Sequence, residues 1–252
     1  MNSRERVTRA IEIKAPGRIP LTHATLPGAF DKYGEALHDL YNQYPSDVCH
    51  VGMATYGEYG PKIDAPSRDA WGSLWVRHTN EHKGQVVFGP LKDWEALKAF
   101  EPPDTSTEEM MAKIVETLNT NAGKKYAYAK LFSLVRNADK HVWFHSDGVI
   151  HEIIPDLIEI GVQVLNPQVN VIGRERVAEL CRGRICIEAD IDRQWVLPFG
   201  KPEDVRAAVQ TDINAFDGLS GGYIGRGEMA GDIPLENVTA LLEEITRQHV
   251  QS

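Results

Sequence analysis

The stretch ICIEADID, residues 185 to 192, decides the fold of this chain of 252 residues. Its apolar and polar side chains alternate, as they do on a strand whose two faces meet different surroundings. One face carries Ile185, Ile187, Ala189 and Ile191, and the other carries Cys186, Glu188, Asp190 and Asp192. An open doubly wound sheet needs apolar residues on both faces. A barrel accepts polar layers near its carboxyl mouth, so the pattern favours a barrel strand.

The sequence around this strand repeats one supersecondary unit. Strands are predicted at 141–145, 162–167, 185–191 and 221–225, and each is followed by a helical segment, the last one starting at 235. Successive βα units with short connections predict a parallel sheet or barrel. If Glu188 is buried inside it, this carboxylate needs a histidine or arginine partner.

The amino-terminal part is less regular. A first helix with Ser3 as its N-cap precedes a strand at 19–26, a helix at 28–41 and a strand at 46–54. Residues 56 to 103 are rich in Gly, Pro and aromatic residues and predict an elaborated loop region with one helix at 93–100. Further on, helices are predicted from Ser106 to Gly123 and at 128–138, with YAYA (126–129) as at most a short strand.

Composition excludes several classes of function. The chain has 27 basic and 36 acidic residues and a formal charge of -9, which argues against a nucleic-acid partner. It contains no long apolar run and no secretory pattern, so we expect no membrane partner and a cytoplasmic location. Three cysteines without C-x-x-C spacing predict neither a disulfide framework nor a zinc ribbon.

Four segments of the carboxyl half resemble one known family. They are WFHSDG (143–148), IIPDLIEIGVQVLNP (153–167), GRICIEADIDRQWVLPFG (183–200) and GGYIGRGE (221–228). The sequences of these segments resemble the uroporphyrinogen decarboxylase superfamily, which includes the decarboxylase and corrinoid-linked methyltransferases. The segments SRERVTRAIEIKAPGRIPL (3–21) and GQVVFGPLKDWEAL (84–97) resemble its amino-terminal part. The resemblance implies an α/β fold derived from a (β/α)8 TIM barrel.

The middle of the chain departs from the family pattern. Such proteins carry two more barrel strands between the DWEAL helix and the strand at 141–145, where this chain has only residues 104 to 140. We therefore expect an incomplete barrel of about six parallel strands with extra N-terminal helices. It forms one domain, 1–252, made of strands, helices and a long loop (1–103), a helical replacement segment (104–140) and a carboxyl βα half (141–252).

An incomplete barrel leaves two unpaired edges and an open seam. One interpretation is a homodimer in which each chain covers the seam of the other. The alternative is that residues 106 to 138 fold into the seam of their own chain.

Polar residues follow the four carboxyl-half strands, where barrel enzymes place their chemistry. The candidate catalytic residues are His145, Asp147, Asp190 and Asp192, and the candidate substrate-binding residues are Asn166, Gln168, Arg193, Gln194 and Arg226. Asp190 and Asp192 could work as an acid/base pair. The arginines could bind a carboxylate or phosphate. Helix capping and surface ion pairing remain the structural alternatives for the same residues.

The resemblance also implies a metal site. In the methyltransferase branch a His-x-Cys motif and a distant cysteine hold zinc, which activates a thiol. The matching positions here are His145, Asp147 and, late in the chain, Glu228, which could hold zinc through nitrogen and oxygen ligands. The arginine-bearing signature with which the decarboxylase grips its porphyrinogen is absent; IPLTHATLPGAF (19–30) stands in its place.

Two functions follow as predictions. The first is an enzyme acting on a small methylated or carboxylated molecule, by methyl transfer or decarboxylation, with a corrinoid protein as an implied partner. The second is a noncatalytic binding or assembly protein that descends from the barrel by deletion.

Overall fold

A computed structural model describes residues 1–51, 63–79, 84–103, 108–121, 123–128 and 141–247. Its strands are β1 (Leu21–Thr25), β2 (Val48–His50), β3 (Ser67–Arg68), β4 (Leu74–Val76), β5 (Gln85–Phe88), β6 (Tyr126–Tyr128), β7 (Trp143–Ser146), β8 (Val164–Pro167), β9 (Cys186–Asp190) and β10 (Tyr223–Met229). Its helices are α1 (Ser3–Ile11), α2 (Pro27–Gln43), α3 (Trp94–Lys98), α4 (Glu108–Thr120), α5 (Ile154–Glu159), α6 (Val169–Ile172), α7 (Arg174–Cys181), α8 (Val196–Phe199), α9 (Pro202–Ala215) and α10 (Leu235–Arg247).

The centre of the molecule is a parallel sheet of five strands in the order β1-β10-β9-β8-β7. The longest strand, β10, pairs with both β1 and β9, with Leu21 opposite Gly225 and Tyr223 opposite Ile187. Helices α5 to α10 connect or follow these strands, as the repeated unit predicts. The fold is a mixed α/β, incomplete TIM-barrel-like fold, and the predicted fold class is confirmed.

Strands β2 and β6 form a second parallel pair, which brings the number of parallel strands within the described ranges to seven. The predicted set of six did not include β6. Two contacts show that β6 lies beside β7. The Tyr126 hydroxyl is 2.8 Å from Nδ1 of His141, and the ring centroids of Tyr128 and Trp143 are 4.9 Å apart. The seam is therefore occupied by a strand of the same chain. The prediction of a homodimer that covers it stays untested.

The two faces of β9 pack as the alternation predicts. Ile185, Ile187, Ala189 and Ile191 belong to the large core between the sheet and its helices. Cys186 belongs to a smaller cluster inside the barrel, together with one apolar residue each from β2, β8 and β10. Helix α1 closes the lower end of this interior with Val7, Ala10 and Ile11.

A buried carboxylate joins α1, β1 and β2. Asp47 is fully buried and accepts hydrogen bonds from the Ser3 hydroxyl, from the guanidinium groups of Arg6 and Arg18, and from the backbone N–H of Leu21, at 2.6 to 3.0 Å. Ser3 is thus engaged by Asp47, and Asn2 caps α1 in a capping box with Glu5. The prediction of Ser3 as the N-cap was wrong by one residue.

The region predicted as an elaborated loop contains a small antiparallel sheet. Strands β3, β4 and β5 form it in that order, and α3 follows close to its predicted position. The predicted helix at 128–138 lies outside the described residues, apart from Tyr128 at the end of β6. Among the helices of the described residues, none has the length and apolar character needed to cross a membrane.

Candidate functional site

The carboxyl ends of β7, β8, β9 and β10 meet at the mouth of the barrel and bring most of the predicted residues together. Arg226 on β10 lies at the centre. Its Nε atom is 2.8 Å from Oδ1 of Asp190, and its two terminal nitrogens are 3.5 Å from Oε2 of Glu188 and 3.2 Å from Oε2 of Glu228. One guanidinium therefore contacts three carboxylates of the chain.

Glu188 lies below Arg226 and is buried in the barrel interior. The Thr22 hydroxyl donates to its Oε1 at 2.7 Å, and the indole N–H of Trp143 donates to its Oε2 at 3.1 Å. Burial raises the pKa of Glu188, and the positive charge of Arg226 opposes this shift. The expectation that a buried Glu188 needs an arginine partner is confirmed.

Asn166 on β8 connects neighbouring strands within this network. Its amide nitrogen donates to the Glu188 carbonyl at 2.8 Å and to the Asp190 carboxylate at 3.3 Å. Its side-chain oxygen accepts from Arg226 at 3.2 Å. Among the described residues, Nε of Arg226 and Oδ1 of Asp190 have no hydrogen-bond partner, so Asn166 and the ion pair between the two side chains hold them in place.

Arg193 follows β9 and reaches across the mouth to Glu228, with which it forms a close ion pair. The Arg193 side chain is 46% exposed, whereas that of Glu228 is only 10% exposed. Arg193 is therefore the arginine of the mouth that solvent reaches most easily, because the Arg226 side chain is 20% exposed.

His145 and Asp147 lie at the outer rim, after β7. Nδ1 of His145 is 3.1 Å from the carbonyl of Asn166, which can only accept, so this nitrogen carries the proton. Nε2 lies 3.4 Å from Oδ1 of Asp147, and this oxygen accepts a hydrogen bond from the Gln168 amide at 2.9 Å. The predicted residues His145, Asp147 and Gln168 thus form one exposed cluster.

Asp192 and Gln194 lie on the loop after β9. Oδ1 of Asp192 accepts from the backbone N–H groups of Gln194 and Trp195, at 2.8 and 3.0 Å, immediately before α8. This arrangement matches the capping alternative for Asp192, whereas Asp190 is engaged with Arg226. Both residues stay predictions as acid/base groups.

The proposed zinc ligands are not all brought together. His145 and Asp147 are neighbours, but Glu228 is engaged by Arg193 and Arg226. Within the described ranges, no group of three or more His, Cys, Asp and Glu side chains is arranged to hold a metal ion. The residues present therefore do not fit a three-ligand zinc site, since Glu228 is held as an ion-pair partner.

Two contributors to this site were not predicted as such. Thr22 on β1 and Trp143 on β7 both donate to Glu188, although they are far from it in sequence. The alternation in β9 could have predicted such donors, because an inward-facing Glu188 must accept hydrogen bonds from the strands around it.

Comparisons with known proteins bear on the fold. No protein-family model matches the chain, and no curated protein matches it. A methyltransferase from Methanosarcina mazei has a similar structure, with a TM-score of 0.61 and 13% sequence identity over 97% of this chain and 98% of the other. A protein described as a glycerophosphoryl diester phosphodiesterase from Agrobacterium tumefaciens is more distant, with a TM-score of 0.41 and 10% identity over 90% of this chain and 98% of the other. The similarity to the methyltransferase shows a shared fold.

Proposed function

We propose that this protein is a barrel enzyme that transfers a methyl group from a small methylated molecule bound at the mouth of the barrel. One observation carries the proposal. Both arginines of the mouth, Arg193 and Arg226, are paired with carboxylates of the chain itself. A decarboxylase must bind the carboxylate of its substrate, and neither arginine is left unpaired for that task.

The net charge of the mouth also supports methyl transfer over decarboxylation. Glu188, Asp190, Glu228 and Asp147 supply four carboxylates against the two guanidinium groups of Arg193 and Arg226. Such an excess of negative charge favours a neutral or cationic ligand over an anionic one. The solved structure of similar fold from Methanosarcina mazei is a methyltransferase, which adds support to methyl transfer.

Transfer of the methyl group to a thiol acceptor gives a balanced reaction. The bond between the methyl carbon and its donor atom breaks, and the electron pair stays on the donor atom. The acceptor sulfur supplies the pair for the new carbon–sulfur bond, and its proton passes to the donor. His145 carries an exposed imidazole at the rim and is the candidate for moving this proton. A corrinoid protein as methyl carrier is part of the proposal through the family resemblance.

Ligand binding tests the proposal directly. Methylated amines, methylated thiols, simple carboxylates and free cobalamin are each added to the purified protein, and the shift in melting temperature is measured. We expect a rise with methylated molecules and none with carboxylates. Glu228→Gln removes one carboxylate of the mouth and should weaken this binding about tenfold. Glu159→Gln, at an exposed position of α5, is the matched control and should leave this binding unchanged.

Mass spectrometry of a methylated thiol product then tests turnover. Stabilisation by carboxylates alone would replace methyl transfer with decarboxylation as the function.

The alternative is a noncatalytic binding or assembly protein. It is favoured by one observation, that Glu228, an expected metal ligand, is held at the mouth by ion pairs with Arg193 and Arg226. Elemental analysis of protein purified without chelator separates the two. Stoichiometric zinc that is lost in His145→Ala would speak for a catalytic metal site. No metal, no stabilisation by any ligand of the panel and no turnover would favour the alternative.

A further inference from the structure

Two aromatic side chains pack together inside the barrel, below the mouth. Tyr128 at the end of β6 and Trp143 at the start of β7 have ring centroids 4.9 Å apart, and their planes are inclined by 56°. Both pack on the interior cluster that contains Val164, Cys186 and Ile224. Those three side chains are fully buried, whereas Tyr128 and Trp143 are half-buried. Among these five side chains, the surface that solvent can reach is therefore aromatic.

This aromatic pair, Tyr128 and Trp143, adjoins the buried acid of the mouth. The indole N–H of Trp143 donates to Glu188 at 3.1 Å. Burial raises the pKa of Tyr128, the negative charge of Glu188 adds to this shift, and the positive charge of Arg226 opposes it. Both rings therefore lie close to Glu188, and the phenol of Tyr128 is neutral at neutral pH.

The carboxylates above the aromatic pair carry more charge than their arginines balance. Arg193 pairs with Glu228 from the rim. Arg226 then faces both Glu188 and Asp190, at 3.5 and 2.8 Å. A single guanidinium between these two carboxylates leaves negative charge in excess next to the rings. Aromatic faces beside excess negative charge are the surroundings that bind an organic cation.

We propose that the substrate of the mouth is a quaternary ammonium compound, whose N-methyl groups lie on the aromatic pair next to Glu188. A primary ammonium group has three N–H donors and needs acceptors for them. The oxygens of Glu188 already accept from Thr22 and Trp143. A quaternary ammonium donates no hydrogen bond, so charge attraction and ring faces suffice to bind it. The inference rests on the proposed function and names the class of its methyl donor.

Methyl transfer from such a donor is balanced in atoms and charge. The carbon–nitrogen bond breaks, and its electron pair stays on the nitrogen of a tertiary amine. A lone pair of the acceptor thiol forms the new carbon–sulfur bond, and the thiol proton passes to the amine. The nitrogen compound thus keeps its positive charge from substrate to product, beside the same carboxylates.

Isothermal titration calorimetry on the full chain tests the inference. The probes are choline, tetramethylammonium and the neutral alcohol in which carbon replaces the charged nitrogen of choline. We expect choline to bind at least about tenfold more tightly than this alcohol, because the two have the same shape and only choline makes cation–π contacts.

Variants of Tyr128 test the contribution of the ring. Tyr128→Leu should weaken choline binding about fivefold to tenfold, whereas Tyr128→Phe keeps the ring and should stay within about twofold of wild type. Tyr44→Leu is the matched control and should leave choline binding unchanged. Tyr44 is also half-buried, but its hydroxyl contacts Glu243 on α10, outside the barrel interior.

Circular dichroism checks that each variant is folded, and the comparison of ligands on the wild-type protein needs no variant. Equal affinity for choline and the neutral alcohol would overturn the inference, as would no binding of either cation or full choline binding by Tyr128→Leu. Turnover of a methylated thiol without cation binding would leave methyl transfer standing and the ammonium class wrong. Ring-dependent choline binding without any methyl transfer would support the ligand class and count against the proposed function.

Discussion

The five-stranded sheet and the small sheet of β3, β4 and β5 differ in what surrounds their strands. In β9 the outward residues are buried under helices, and the inward ones face an interior that is apolar around Cys186 and polar around Glu188 and Asp190. In β5 both faces are exposed. A strand leaves an alternating pattern in the sequence only where its two faces meet different surroundings. The first sheet was therefore readable from the sequence, and the second resembled a loop.

The glycines of the two sheets show the same contrast. A Cβ added to Gly225 on β10 would lie 2.7 Å from the side chain of Ile245 on α10. A Cβ added to Gly89, just after β5, would meet no atom within 4 Å. Close packing between helix and strand thus limits residue choice at Gly225, and no such packing limits it at Gly89.

The largest expected effect concerns the carboxylate that ties the five-stranded sheet to β2 and β6. Asp47→Ala leaves Arg6 and Arg18, which are 15% and 18% exposed, without their buried partner. We expect a loss of about 3–5 kcal/mol in the free energy of unfolding, measured with urea. Glu179→Ala on α7 removes an exposed carboxylate 2.7 Å from Arg176 and should cost less than about 1 kcal/mol. Equal losses would show that Asp47 does not join these parts.

The next effect depends on pH and tests the packing of β1. His23 stacks on Tyr41 with ring centroids 4.1 Å apart, and burial lowers its pKa to about 4 from 6.5. Between these two values the unfolded chain binds a proton that the folded chain does not. Stability should therefore fall by about 3 kcal/mol as the pH drops through this window.

The contribution of His23 is measured as a difference between urea unfolding curves taken from pH 7 to pH 4. Wild type should lose more stability than His23→Gln over this range. The exposed control His38→Gln should follow wild type. A His23→Gln curve parallel to wild type would mean that His23 is not held neutral by the fold.

The smallest of these effects compares the two glycines directly. Gly225→Ala should destabilise the fold by about 1–3 kcal/mol, because the side chain of Ile245 or the strand must move. Gly89→Ala should change stability by less than about 0.5 kcal/mol, since its added methyl group meets open space. Both are measured by urea unfolding. If Gly89→Ala costs as much as Gly225→Ala, the small sheet is packed more tightly than its exposure indicates.

Much of the carboxyl half could be predicted from the sequence. Long βα units repeat there, and the alternation in β9 gives both the barrel and the inward position of Glu188. The strand ends also indicate which polar residues meet at the mouth, because parallel strands bring their carboxyl ends to one edge. The prediction that Asn166, Asp190 and Arg226 lie together follows from this rule.

Other features could not be predicted because they depend on contacts between distant residues. The sequence indicated YAYA (126–129) as at most a short strand, but the three residues of β6 are too few for a periodic pattern, and its pairing with β2 could not be predicted. Asp47 looks like an ordinary turn residue until α1 and β1 pack against it. The pairing of Glu228 with Arg193 in place of His145 depends on how the loop after β9 folds.

The position of β6 also determines where the barrel wall is held by ladder hydrogen bonds and where it is held by side chains. Ladder hydrogen bonds run through five strands and through the β2–β6 pair. Between these groups the wall is held by Asp47 on one side and by the contacts of Tyr126 and Tyr128 with His141 and Trp143 on the other. We call these two lines hinge lines, since widening along them would break no ladder between the strands that the structure describes. Because Trp143 also donates to Glu188, widening at the second hinge line would change the surroundings of the buried acid.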